Sequence, residues 1–123
     1  MGELISKSQL EQSKKEEKYV LLTAEQVRKD FAMFGLDVEF SGQTAFVYQE
    51  LFTQLEKHIA FLLERNYEKL MSLLYQIDLG QKELQKAGQG NPYGTVAELI
   101  THMILEREMK KVLTRAYFKQ KGL

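Results

Sequence analysis

The residues of this 123-residue chain best equipped for chemistry are its two histidines and a row of bases near the C-terminal end. His102 has Glu98 four positions before it and Glu106 four after. At helical spacing these stack carboxylate, imidazole and carboxylate on one face, as a metal ion requires. The same residues have a plainer use, with Glu98 as the acid of a capping box and Glu106 as a solvated charge. The paired Glu-x-x-His motif of di-iron bundles is missing. Glu98, His102 and Glu106 are therefore only a weak metal candidate, and no cofactor is expected. His58 has no ligand partner at helical spacing and is expected to border a core beside Leu55 and Ile59. Neither histidine adjoins a hydroxyl and an acid, and with no cysteine, thiolate nucleophiles and disulfides are excluded. Gly88, Gly90 and Gly94 lack the lysine of a phosphate loop, and Asn91-Pro92 marks that stretch as a turn.

Arg107, Lys111, Arg115 and Lys119 recur every four residues, with Lys110 beside them and Tyr117 and Phe118 nearby. Such a stripe can grip phosphate or an acidic protein surface. It also does something ordinary, since cations near a helix C-terminus complement the macrodipole, and Glu108 dilutes the row. Lys plus Arg equals Asp plus Glu at 17 each, so no global attraction to nucleic acid or membrane is expected. The distribution is uneven, with nine acids against four bases from 30 to 83 and seven bases against three acids from 84 onward. That asymmetry predicts that Arg107, Lys111 and Arg115 face acids such as Glu56, Glu64 and Glu68, in the same chain or a second copy, or those of another protein. Six tyrosines and seven phenylalanines are many for one small core, and aromatics are favoured at interface centres.

The elements that must position these residues are helices. From Ser41 to Asp78, Tyr48, Leu51, Phe52, Leu55, Ile59, Leu62 and Leu63, then Leu70, Leu73, Leu74 and Ile77, recur in steps of three and four. The rest of the chain is expected to pack around this stretch, which opens at a Ser41 N-cap and is expected to break at Asn66, the alternative being one helix that runs through because Asn66 stays in phase. Thr23 and Gln26 form a capping-box pattern for a first helix with Ala24, Val27, Phe31 and Phe34 inward, ended by Gly35. Residues 36 to 40 alternate too briefly to argue for a sheet. Asp78, with Gln81 three residues on, predicts the N-cap of a short helix to about Ala87. Residues 88 to 94 form a loop. Thr95 and Glu98 form a second capping box, opening a last helix with Val96, Leu99, Ile100, Met103, Ile104, Met109, Val112, Leu113 and Ala116 inward.

Tyr67-Glu68-Lys69-Leu70, Leu73-Leu74-Tyr75-Gln76-Ile77-Asp78, Ala97-Glu98-Leu99-Ile100 and Ile104-Leu105-Glu106-Arg107 together resemble a family of small, uncharacterised all-helical bacterial proteins. Members commonly carry arginine where this chain has Gln76. The resemblance covers about half the chain and implies helix packing without any activity.

The expected architecture is all-α, a compact bundle of four to five helices, with residues 1–20 a polar tail or marginal helix and 21–123 one helical domain. With 44% apolar and 28% charged residues, the composition is that of an ordinary globular protein. No run reaches the roughly 18 apolar residues of a membrane span, and the polar start MGELISKSQLEQSKKEEK lacks a secretory signal, so a cytoplasmic location is expected. Met1-Gly2 with Ser6 fits a bare myristoylation pattern, which Glu3 weakens. The function expected is a protein interaction or structural module, a homo-oligomer or a subunit of an assembly. The alternatives are a nucleic-acid-binding regulator using the basic helix and, remotely, a metal-dependent enzyme.

Overall fold

The computed structural model of the chain describes residues 5–13, 16–89 and 94–120. Among them are six helices and no strand: α1 (Lys7–Ser13), α2 (Glu17–Ala32), α3 (Thr44–Arg65), α4 (Tyr67–Ile77), α5 (Gln81–Gly88) and α6 (Val96–Gln120). The myristoylation pattern and most of the 88–94 loop lie outside the described residues.

The packing centre is α6, not the stretch from 41 to 78, because each of the other five helices packs against it. It can serve this way because it buries side chains on several sides, Leu99, Ile100, Ile104, Leu105, Met109, Val112 and Leu113 among them. A helix apolar on one side only can line a core but cannot run through its middle. α2 and α3 supply most of what it packs against. Ala24, Val27, Phe31, Leu51, Leu55, Ile59, Leu70, Leu74 and Ile77 complete the main core. Val96, expected inward, is 57% exposed at the helix start.

Local chemistry sets the helix ends, in three places against expectation. Thr23 is buried inside α2 and donates its hydroxyl to the Tyr19 carbonyl at 2.7 Å, so it satisfies itself within a helix that began at Glu17. Ser41 lies before the long helix rather than capping it: its hydroxyl accepts from the Gln43 amide at 3.2 Å and donates to Glu50 at 2.8 Å. Asp78 is not the N-cap of α5 but the left-handed residue that ends α4, with φ 73 and ψ 38. The Leu79 amide reaches back to the Leu74 carbonyl at 2.8 Å and the Asp78 amide to Tyr75 at 3.0 Å, the two bonds of a Schellman ending. Gly35, at φ 72, ends α2 in the same manner, with Leu36 N–H donating to the Phe31 carbonyl at 3.1 Å. Asn66 breaks the long helical stretch, its side chain accepting from the Lys69 amide at 3.1 Å. The Thr95 and Glu98 pair caps α6, the Glu98 amide donating to the Thr95 hydroxyl at 3.0 Å.

Within the N-terminal segment, α1 opens with a reciprocal capping box: Ser6 N–H donates to the Gln9 side chain at 2.9 Å and Gln9 N–H to the Ser6 hydroxyl at 3.1 Å. Ile5 and Leu10 are buried with Met109 and Leu113 of α6 in a small second cluster, against which Tyr19 packs. Scattered apolar residues were enough because α6 offers them a ready apolar wall. This helix raises the count to six among the described residues, while α2 is longer than expected, starting six residues before Thr23.

Candidate functional site

The basic stripe of α6 divides into two sets by what it touches. Arg107 donates to Asp78 at 2.7 Å, fastening the end of α4 to α6. Lys111 donates to the Gln76 carbonyl at 3.4 Å, one of the acceptors left open at the C-terminus of α4, where a cation also complements the helix dipole. Its ammonium lies 3.7 Å from Glu108. These two cations are therefore committed within the chain, to Asp78, Gln76 and Glu108 rather than to Glu56, Glu64 or Glu68. Lys110 is half-buried and engaged in a contact of its own.

Further along, Arg115 donates to the Gln26 side chain of α2 at 2.7 Å. Arg115 and Lys119 stand on one side of a groove between α2 and α6, facing Lys29 on the other. The groove has a volume of about 270 Å³, and Leu22, Val112 and Ala116 give it an apolar floor. Leu22 is 51% exposed. Glu25, an acid on its wall, is ion-paired with Arg28, and that pairing lowers its pKa. Tyr117 and Phe118 meet edge to face at 5.5 Å, both partly exposed. Tyr117 borders a neighbouring groove of about 240 Å³ with Ile5, Tyr19 and Leu113.

Beneath the same seam lies a buried acidic pair that periodicity marked and charge concealed. Asp30 of α2 and Glu108 of α6 are both buried, with Glu108 wholly excluded from solvent. Glu108 was expected to dilute a surface stripe. Yet it falls four residues after Ile104 and four before Val112, in phase with the core positions of α6, and Asp30 falls three after Val27. Gln26 donates to both Asp30 oxygens, at 3.2 and 3.3 Å. Among the described residues, no donor reaches either oxygen of Glu108 at hydrogen-bond geometry. Burial foremost, then hydrogen bonding to Asp30 and its charge, push the Glu108 pKa up to about 9 against the opposing pull of Lys111.

The residues considered for metal have other partners. Glu98 accepts the Thr95 hydroxyl at 3.0 Å within the α6 cap, while His102 and Glu106 pair at 3.0 Å. Among the described residues, no three His, Asp or Glu side chains converge on a point where an ion could sit. His58 borders the core as expected, its Nε2 2.7 Å from the Asp37 carbonyl and its ring tilted against Phe31. Exposed aromatics lie elsewhere too, with Phe46 and Phe61 on α3 and Tyr67 and Tyr75 on α4.

Among the described residues no helix is long and apolar enough to cross a membrane. No family model, curated protein or solved structure matches the chain.

Proposed function

We propose that this chain is a helical protein interaction module whose α2–α6 groove receives an acidic segment of a partner. The observation that carries the reading is the groove itself: apolar lining from Leu22, Val112 and Ala116 together with three cations, Lys29, Arg115 and Lys119, and an acid, Glu25, already paired with Arg28. An apolar side chain entering the groove would cover Leu22, and carboxylates beside it would meet the cations. The apolar contact would give affinity, while the charges would give orientation and encounter rate.

The nucleic-acid alternative is weakened by what the stripe does inside the chain. Arg107 and Lys111 hold the end of α4, which leaves fewer cations in line for successive phosphates. Removing the groove's charges while leaving those two intact separates the readings. The triple reversal K29E, R115E and K119E should abolish salt-sensitive capture of an acidic partner, with helicity unchanged by circular dichroism. A reversal that spared partner capture while removing binding to a short RNA or DNA duplex would favour the regulator. A reversal that dispersed a dimer would make the partner a second copy of this chain.

A further inference from the structure

A carboxylate only accepts hydrogen bonds, so two facing carboxylates cannot bond to each other. This is the position of Glu108 if it is ionised: Asp30 is its neighbour, Lys111 stands 3.7 Å off, and among the described residues no donor completes either oxygen. A proton on Glu108 changes the chemistry, because the resulting O–H can donate to Asp30. Asp30 is already oriented from the other side by the Gln26 amide. Glu108 belongs to α6 and Asp30 to α2, so that bond would cross the interface between two of the most closely packed helices.

We propose that Glu108 is a proton-operated latch of the α2–α6 seam: protonated, it donates to Asp30 and holds the helices together; ionised, it sets two buried carboxylates against each other and parts them. The charged groups around it are few. From α2 the facing group is Asp30. From α6 itself it is Lys111, whose ammonium is shared with the Gln76 carbonyl of α4. Arg107, the residue before it, and Arg115, two turns further along, are turned to Asp78 of α4 and Gln26 of α2. The charges that act on its protonation are those of Asp30, which raises its pKa, and Lys111, which lowers it. The latch also touches the groove, since Gln26 bonds Asp30 with its amide and Arg115 with its carbonyl oxygen.

The sign of the effect follows from linkage. The folded pKa, about 9, lies above the ordinary carboxylate value of the unfolded chain, 4.5. Between the two the folded state holds the extra proton, so stability from the latch is complete below the lower value and is lost as pH rises toward the upper. One proton corresponds to roughly a tenfold fall in the folding equilibrium constant per pH unit within that window.

The test is a pH titration of the full chain, labelled with ¹³C at Glu and Asp side-chain carboxyls, alongside urea unfolding of wild type, E108Q and D30N. The Glu108 carboxyl should titrate far above the other glutamates, and the Gln26 amide should shift with the same midpoint. E108Q, a neutral isostere, should lose the tenfold-per-unit slope and exceed wild type in stability at pH 8. D30N, which removes the facing charge, should bring the Glu108 midpoint down. The proposal is overturned if Glu108 titrates with the ordinary carboxylates, or if E108Q keeps the wild-type slope. Should E108Q fail to fold, the wild-type and D30N titrations still decide.

Discussion

Replacing Asp78 with threonine separates the two ways in which that residue can stand between helices. As an N-cap of α5, Asp78 would be replaced well by threonine, which accepts the same amide hydrogen bond. As the left-handed ending of α4, at φ 73 and ψ 38, it tolerates threonine poorly, because a β-branched side chain collides with its own backbone there. Holding a non-glycine residue in that region costs about 1 to 3 kcal/mol, and threonine belongs near the top of the range. The ion pair with Arg107 adds little, since the Asp78 side chain is 73% exposed and such pairs are worth about 0 to 1 kcal/mol. Asp78→Thr should therefore destabilise the chain by about 2 kcal/mol. Asp78→Gly should lie within about 1 kcal/mol of wild type: it relieves the backbone, loses the Arg107 contact and loosens the unfolded chain. Asp78→Asn keeps the tolerance for positive φ and loses only the charge. Urea unfolding of the three variants, with an Arg107→Ala double-mutant cycle, provides the measurement. A silent threonine beside a costly glycine would refute the left-handed assignment and restore the N-cap.

Truncating Leu55, Ile59, Leu74 or Ile100 to alanine should each cost about 2 to 5 kcal/mol in denaturant melts, because all four are buried in the main core. Leu10→Ala should cost about 2 kcal/mol, the low end of that range, because its cluster is small and at the edge. A loss under about 0.5 kcal/mol would mean that α1 contributes nothing to the fold. Lys111→Met should move the Glu108 carboxyl titration to still higher pH, since the ammonium lowers that pKa and methionine keeps only the aliphatic stem. A downward move in the same ¹³C titration would contradict the assigned role of Lys111.

What the sequence made legible follows from which forces are local. Breaks and caps at Asn66, Gly35 and Thr95 are set within four or five residues, and the stripes of α2 and α4 repeat with a clean period, so these could be read directly. Thr23 and Asp78 carry residue types that serve two purposes, a cap or an interior back-bond for threonine, an N-cap or a left-handed ending for aspartate. Only the chain around them decides between these uses. The central role of α6 was hidden because a helix buried on several sides has no single apolar face. Ile5 and Leu10 are too sparse to declare a core without the wall that Met109 and Leu113 provide. The row of bases was visible at once, while its division was not: Arg107 and Lys111 meet the end of α4 across 29 and 35 residues of sequence, and the groove needs Leu22 and Lys29 from the other end of the chain. Asp30 and Glu108 were legible by phase and were passed over because a charge is ordinarily placed outside.

The central claim is that the α2–α6 groove is where a partner binds, and position-specific photocrosslinking tests it most directly. A photoreactive phenylalanine analogue at Leu22, on the groove floor, is compared with one at Tyr75, which is 86% exposed on α4. Irradiation of cells making each form should give a discrete protein adduct from position 22 alone. The adduct should map by mass spectrometry to an acidic segment carrying an apolar residue, and should disappear in the K29E, R115E and K119E background. Equal adducts from both positions, adducts to nucleic acid, or a position-22 adduct indifferent to the three cations would contradict it.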